Sequence, residues 1–158
     1  MPIITLPDGS TRSYDQPVTP ATVAADIGPG LAKAALMAVV DGAEWDLTRQ
    51  IDDDASMALV TAKDDASLAL LRHDAAHVMA EAVLELFSDT QVTIGPSIEN
   101  GFYYDFHRAE AFNDDDLAAI EKRMHEIVDR DEEITRDVWT RDAAVEFYKK
   151  NNEPFKVE

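Results

Sequence analysis

Two histidines one helical turn apart are the residues in this sequence best placed to do chemistry. They are His73 and His77, in the run Arg72-His73-Asp74-Ala75-Ala76-His77. Residues at i and i+4 share one face of a helix, so both imidazoles enter the same space. Imidazole transfers protons near neutral pH and also binds borderline metal ions. The pair therefore predicts proton-transfer groups, metal ligands or two ordinary core histidines, and its spacing leaves all three open.

A metal site would need ligands beyond this pair. The sequence has no cysteine, so the other ligands would have to be His107, His125 or carboxylates, and no spacing singles them out. A zinc-protease motif is excluded because Asp74 follows His73 where that motif has glutamate. We therefore predict no metal site in this chain.

An aromatic segment downstream, residues 95–106, supplies a further candidate. Its Asn100-Gly101 dipeptide is typical of a two-residue hairpin turn and predicts a strand over residues 102–106. Side chains alternate along a strand, so Tyr104 would share a face with the phenylalanines at either end. A phenol beside a pocket can hydrogen-bond a substrate, although tyrosines are also common at sheet surfaces without any such role.

The elements that position these residues form an α+β chain with two parts, divided near residues 62–63. In the first part, Asp8-Gly9 predicts a hairpin turn and Thr19 caps a helix that ends at Gly28-Pro29-Gly30. The predicted order is strands at 3–6 and 11–14, a helix at 20–27, a further helical turn at 31–36, and strands at 37–40, 45–47 and 58–61. This order suggests a ubiquitin-like β-grasp fold over residues 1–62.

Residues 63–158 are predicted to form a second α+β part. It opens with a helix that begins at Asp64, Asp65 or Ser67 and is apolar around more than half of its circumference, which predicts burial as far as residue 87. The further predicted elements are a strand at 91–94, an amphipathic helix capped by Asn113 or Asp114, a strand at 134–139, a helix from Thr140 to 148, and a strand beginning at 155.

The last candidate residue, Lys156, lies in the strand predicted at the end of the chain. An isolated lysine in such a place is most often simply solvated. Because this strand has only just begun at residue 158, we expect the chain to be a fragment of a longer protein.

Composition limits the classes of function. The net charge is −18; residues 1–62 contribute 3 basic and 9 acidic side chains (−6), and residues 63–158 contribute 11 and 23 (−12). A chain with this much negative charge repels phosphate backbones. We therefore expect weak binding to nucleic acid unless another domain supplies affinity. The sequence has no apolar stretch long enough for a bilayer and no secretory signal, and it lacks cysteine, all of which favour a cytoplasmic protein without a membrane partner.

The whole chain resembles the N-terminal region of the threonyl-tRNA synthetases. That family joins a ubiquitin-like TGS domain to an editing domain that opens with His-x3-His, continues through a Gly-Pro-x-Ile-x-Asn-Gly-Phe-Tyr-Tyr-Asp run and reaches a Glu-Lys-Arg-Met-x-Glu helix. Here these motifs are residues 73–77, 95–105 and 121–126. Alanyl-tRNA synthetases have a related editing fold with a His-x3-His, but the TGS-like start and the hairpin favour the threonyl family. The resemblance implies a TGS domain at 1–62 and part of an editing domain at 63–158.

The resemblance implies hydrolytic proofreading. A threonine site cannot fully exclude serine, because one missing methyl is worth only about 1–3 kcal/mol. A second site would then hydrolyse serine esters on threonine tRNA. By resemblance, His73 orients or deprotonates the water or the ribose hydroxyl, and His77 shapes the site beside it. Tyr104 matches a substrate-pocket tyrosine, and Lys156 matches a catalytic lysine that orients water or stabilises developing negative charge.

The sequence departs from the family in what it lacks. In the family a downstream Cys-x3-His completes the editing cluster, followed by the class II aminoacylation core and an anticodon-binding domain, and these 158 residues contain none of them. We therefore expect an incomplete editing site, no aminoacylation by this chain and no cofactor within it, with ATP and zinc belonging to the absent core.

The expected partner is threonine tRNA mischarged with serine, held mainly by the absent domains, and we expect a homodimer only for the full-length protein. Two alternatives stay open. One is a non-catalytic TGS-type binding or regulatory module, and the other is an alanyl-type editing factor that acts in trans.

Overall fold

The chain separates into two units, and the division falls inside a helix. The computed structural model describes residues 1–132, 135–151 and 153–157, and its two units are Met1–Leu70 and Leu71–Glu158. The helix Asp65–Leu86 begins in the first unit and continues in the second. Each unit mixes helices with strands, so the predicted α+β class is confirmed.

A five-stranded mixed sheet forms the centre of the first unit. Its strands lie in the order β2-β1-β5-β3-β4, in which β1 and β5 are parallel and the other pairs are antiparallel. The strands are β1 (Ile3–Thr5), β2 (Thr11–Ser13), β3 (Ala35–Val40), β4 (Ala43–Trp45) and β5 (Ala55–Thr61). With the two helices between β2 and β3, this is the ubiquitin-like β-grasp arrangement predicted from the sequence.

Local signals explain the helices of this unit. Helix α1 (Pro20–Ile27) begins after Thr19, whose hydroxyl oxygen accepts a hydrogen bond from the backbone N–H of Thr22, as predicted. Gly28 ends α1 and directly precedes α2 (Pro29–Ala34), so the second helical segment starts two residues before the predicted 31–36. Proline at its first position fits the helix because that N–H has no partner there.

Three strands of this unit begin before their predicted first residues. Asp41 and Gly42 have φ values of 49° and 81°, which is the backbone of a type I′ turn, and they join β3 to β4 as a two-residue loop. Because the loop is so short, β4 starts at once at Ala43, not at residue 45 as predicted. Strands β3 and β5 likewise start earlier than the predicted residues 37 and 58.

The core of the first unit lies between the sheet and α1. Its completely buried side chains include the large ones of Ile4 and Val23. The other core residues of the strands alternate with more exposed ones, as in any strand with one buried face, and Val23 lies on the face of α1 that packs against the sheet. The core cluster contains Ile4, Val18, Val23, Ala38, Val40, Ile51 and Met57.

In the part of the second unit that the structure describes, two short ribbons lie among three helices. The ribbon β6–β9 and the ribbon β7–β8 are each a pair of two-residue antiparallel strands. The elements are α3 (Asp65–Leu86), β6 (Gln91–Val92), β7 (Ser97–Ile98), β8 (Gly101–Phe102), β9 (Phe106–His107), α4 (Asp114–Asp129), α5 (Arg141–Lys150) and a 3₁₀ turn (Pro154–Lys156). The core is made where α3, α4 and the aromatic residues around β9 pack together.

The ends of the helices α4 and α5 follow the predicted caps. The Asn113 side chain accepts from the backbone N–H groups of Asp115 and Asp116, and the Asp116 carboxylate accepts from the Asn113 N–H, which completes a capping box. Thr140 caps α5 in the predicted way, and that helix continues to Lys150 rather than stopping at residue 148. The predicted start of α3 is close, but the Asp64 carboxylate accepts from Thr61 rather than from the helix.

The predicted burial of α3 is wrong. Leu68, Leu71 and Leu84 are 41–50% exposed, and small residues such as Ala76 and Ala82 occupy the buried positions. The helix therefore buries a narrow face, although its composition is apolar around most of its circumference.

The hairpin is shifted by one residue from its predicted register. Ile98 pairs with Gly101, so the two-residue loop is Glu99-Asn100 and not Asn100-Gly101. Gly101 has a φ of 147°, a conformation open to glycine, and this allows it to be the first residue of β8. The predicted strand 102–106 is also divided, because Phe102 pairs with β7 whereas Phe106 pairs with β6.

Two predicted strands near the C-terminal end are wrong. Residues 135–139 form no strand, and residue 134 lies outside the described residues; Trp139 instead packs edge-on against Phe147 of α5, with ring centroids 4.9 Å apart. The strand predicted from residue 155 is a 3₁₀ turn, Pro154–Lys156, and residue 158 lies outside the described part. Proline favours this turn because its φ is fixed and it offers no N–H to a strand partner.

Candidate functional site

The two histidines point toward each other from α3. The Nε2 atoms of His73 and His77 are 3.1 Å apart, and the ring centroids are 4.5 Å apart with the planes inclined at 72°. At this distance one Nε2 donates a hydrogen bond and the other accepts it, so one of the two must lack a proton. Both side chains are exposed, which rules out the interpretation as ordinary core histidines.

A cleft of roughly 630 Å³ beside this pair brings together three of the four predicted site residues. His77, Tyr104 and Lys156 all line it, and His73 adjoins it through its contact with His77. The remaining lining residues are Ala80, Glu81, Leu84, Glu85, Val92 and Tyr148. The cleft therefore combines a proton-transfer group, a phenol and a cation on a partly apolar floor.

Tyr104 reaches the cleft at the end of a series of aromatic rings. Its ring stacks on Phe106 at 4.9 Å, and Phe106 in turn meets Phe112 edge-on at 5.9 Å in the core of the unit. The predicted shared face of Tyr104 and Phe106 is thus confirmed. Burial raises the pKa of the Tyr104 phenol above its ordinary value of 10, the Lys156 charge opposes that rise, and the Glu153 charge adds to it.

Lys156 is held at the cleft by two neighbours. Its Nζ lies 2.7 Å from a carboxylate oxygen of Glu153 and 5.4 Å from the ring centroid of Tyr148. The first contact is an ion pair across one turn, and the second is within the range of a cation–π interaction. An ammonium group near Tyr104 and His77 could stabilise negative charge that develops on a bound substrate.

Arg72 connects the helix of the histidines to the hairpin. Its Nη1 donates to the carbonyl oxygens of Ile98 and Glu99, at 3.2 and 2.7 Å. Arg72 directly precedes His73, so the β7–β8 loop is tied to α3 at the start of the histidine pair. Glu99 lies in the two-residue loop, so the second of these bonds gives its carbonyl group a partner outside the ribbon.

Residues 2–61 match the TGS domain family. The chain is 62% identical to the threonine–tRNA ligase of Paramagnetospirillum magneticum, 61% to that of Rhodospirillum rubrum and 58% to that of Thiobacillus denitrificans, in each case over its full length and 25% of the relative. This chain matches the N-terminal region of threonine–tRNA ligases. It spans about a quarter of the length of those relatives.

Sequence reasoning missed Glu81, Glu85 and Tyr148 as lining residues. The two glutamates continue the i+4 series of His73 and His77 along α3, so the same spacing could have found them. The Glu85 carboxylate accepts hydrogen bonds from Nη1 and Nη2 of Arg130 at 2.7 and 2.8 Å and from Arg123 at 2.8 Å, and these bonds lower its pKa to about 2. No local signal marks Tyr148, since its role depends on where α5 lies within the unit.

The described chain has two imidazoles at the site, those of His73 and His77. Among residues 1–132, 135–151 and 153–157, no three histidine, aspartate or glutamate side chains are grouped closely enough to hold a metal ion. Within the same ranges, no helix is long and apolar enough to cross a membrane.

Proposed function

We propose that the cleft of the second unit is part of a hydrolytic editing site, which removes serine from threonine tRNA. The supporting observation is the pair of imidazole Nε2 atoms 3.1 Å apart, beside a cleft that also contains Tyr104 and Lys156. Similarity to threonine–tRNA ligases over the whole chain supports threonine tRNA as the substrate. In this proposal residues 63–158 belong to an editing domain and residues 1–62 to the TGS domain that precedes it.

The need for such a site follows from the chemistry of threonine selection. Serine lacks one methyl group of threonine, which limits discrimination by binding alone to about 1–3 kcal/mol. A second site that hydrolyses only the smaller ester removes the errors. Its pocket must admit the serine side chain and exclude the extra methyl, and Tyr104 supplies a rigid wall for that purpose.

The reaction is ester hydrolysis by water. In this proposal the Nε2–H of His73 donates to Nε2 of His77, which fixes the orientation of the His73 ring and leaves its Nδ1 unprotonated. That Nδ1 accepts a proton as the water oxygen attacks the seryl carbonyl carbon. The carbonyl oxygen becomes an oxyanion, which the Lys156 ammonium stabilises. When the intermediate collapses, the carbon–oxygen bond to the terminal ribose breaks and the ribose oxygen takes the proton from the His73 imidazolium. The products are serine and uncharged tRNA.

Affinity for tRNA must come mainly from outside this chain. A net charge of −18 repels the phosphate backbone, so these residues supply chemistry and not electrostatic attraction. We place the protein in the cytoplasm as part of a homodimeric class II synthetase, whose aminoacylation core would carry ATP and zinc.

The test is hydrolysis of serine-charged threonine tRNA by the full-length protein of the natural reading frame. We expect His73→Ala to slow deacylation by roughly a hundredfold, because it removes the proton acceptor. His125→Ala is the matched control: this histidine is also exposed on a helix of the second unit, but it does not line the cleft. The control should deacylate as fast as the wild type.

Wild-type turnover by His73→Ala would overturn the role of His73. If the full-length wild type spared the serine ester altogether, the editing function itself would be wrong, and a non-catalytic TGS-type module would replace it.

A further inference from the structure

The ring of Tyr104 occupies the space that a side chain at Gly95 would need. A Cβ atom built on Gly95 would overlap the Cγ, Cδ2 and Cε2 atoms of that ring. Overlap with three atoms on one side of an aromatic ring cannot be relieved by a small rotation, so any residue larger than glycine must displace the phenol from its position. Gly95 therefore sets how far Tyr104 withdraws from the cleft.

Space, and not backbone conformation, is the reason for glycine at this position. The positive-φ glycines are Gly9, Gly42 and Gly101, and Gly95 is not one of them. It precedes Pro96, and residues before proline favour extended conformations that alanine also adopts. Alanine at residue 95 is thus compatible with the backbone and incompatible only with the position of the ring.

Arg72 fixes the same segment from the other end. Its two hydrogen bonds hold the Glu99-Asn100 loop against α3, next to His73. The segment that carries Tyr104 leaves this hairpin after Phe102 and returns to β6 at Phe106. The phenol is therefore placed relative to the histidines by a contact on each side: Gly95 behind the ring and Arg72 beneath the loop.

We propose that Gly95 and Arg72 are positioning residues that hold Tyr104 against the cleft at a fixed distance from the histidine pair. The consequence for catalysis rests on the proposed editing function, whereas the placement of the ring does not. A displacement of about 1 Å in a positioning group can cost a hundredfold in rate, so the effect on editing should be large.

The first experiment measures the ring itself in this 158-residue chain. In Gly95→Ala the displaced phenol gains solvent, so the Tyr104 pKa should fall toward 10, as followed by its ring ¹³C signal in NMR. Gly30→Ala is the matched control, because that glycine also lacks a positive φ and has nothing near its Cβ position. An unchanged Tyr104 signal in Gly95→Ala would overturn the proposal.

The second experiment measures coupling in the full-length protein. Gly95→Ala should slow deacylation of serine-charged tRNA by about a hundredfold. Added to Tyr104→Ala, the same change should cost nothing further, because the ring it displaces is gone. Equal losses in both backgrounds would show that Gly95 acts independently of Tyr104 and would overturn the proposal. If the wild type does not edit, only the proposed function fails, since the NMR result stands by itself.

Arg72 is tested by a conservative rescue. Both of its hydrogen bonds come from one nitrogen, so the ammonium of Arg72→Lys can replace part of the contact, whereas Arg72→Met cannot. We expect the Tyr104 signal and the deacylation rate to be disturbed in Arg72→Met and largely restored in Arg72→Lys. Equal behaviour of the two variants would overturn the positioning role of Arg72.

Discussion

The two units of this chain are similar in length but differ in how their strands and apolar side chains are arranged. In the first, a continuous sheet covers a core in which Ile4 and Val23 are completely buried. In the second, each strand pair is two residues long, and large apolar side chains such as Leu84, Val128 and Trp139 are 41–63% exposed. The first unit is a layered sheet with a buried core, and the second has short ribbons around an open cleft.

This difference shows where the fold can carry chemistry. The proposed reactive groups would have to meet water and substrate, and His73 and His77 are exposed while smaller residues of the same helix form the core. The cleft is then held by specific contacts: an aromatic stack, the Arg72 hydrogen bonds, and the pairs formed by Glu85 and Lys156. Such contacts fix the positions of individual side chains at the cleft.

The sharpest test of the comparison is a matched pair of substitutions in β1. Ile4 is completely buried and its neighbour Ile3 is 42% exposed, in the same strand and with the same side chain. Ile4→Ala should lower the free energy of unfolding of the first unit by about 2–5 kcal/mol, through lost burial and the cavity left behind. Ile3→Ala should cost about 1 kcal/mol or less, since little apolar contact is lost.

Urea denaturation followed by amide NMR signals of each unit measures both effects. Similar losses for the two variants would contradict the description of the first unit as a layered sheet with one buried face. Because the signals are read separately, the same experiment shows which part of the chain depends on Ile4.

A smaller effect is expected from acid in the second unit. The bonds from Arg130 and Arg123 hold the pKa of Glu85 at about 2, below its ordinary value of 4.5. A lowered pKa in the folded state stabilises the fold above pH 4.5, and this contribution is lost as the pH falls from 4.5 toward 2. Glu85→Gln should therefore be less stable than wild type at pH 7 and should lose less stability on acidification.

Glu121→Gln is the control for this experiment, because Glu121 is exposed on α4 and forms no ion pair within the described residues. Urea midpoints of the second unit from pH 7 to pH 3 give the comparison. If wild type and Glu85→Gln lose stability in parallel, the network that joins α3 to α4 contributes nothing.

The sequence allowed prediction of those features that local chemistry decides. Thr19, Asn113 and Thr140 cap their helices as expected, because a cap depends on residues within one turn. The i+4 spacing likewise predicted that His73 and His77 would meet, which needs only a helix. The β-grasp order followed from alternation of short strands and one well-marked helix.

Features that depend on distant partners could not be predicted in this way. Residues 135–139 alternate like a strand, yet Trp139 finds its partner in Phe147 of α5. The hairpin register is shifted by one residue from the prediction, since Gly101 pairs with Ile98 as part of β8 and does not lie in the loop. Tyr148 lies at the cleft because of where α5 packs within the unit. The apolar composition of α3 likewise does not indicate how much of the surface of this helix the other elements cover.

The smallest expected effect tests whether Glu153 and Lys156, near the end of the chain, lie close to Tyr104 at the cleft. Lys156 lowers the pKa of Tyr104 and Glu153 raises it, both acting through their charges on the phenolate. Lys156→Gln should therefore raise the Tyr104 pKa, and Glu153→Gln should lower it. A ¹³C NMR titration of the tyrosine rings measures both shifts. The two variants remove opposite charges three residues apart, so the pKa of a tyrosine near both should shift in opposite directions. Two pKa shifts in one direction, or no shift, would place Lys156 away from Tyr104.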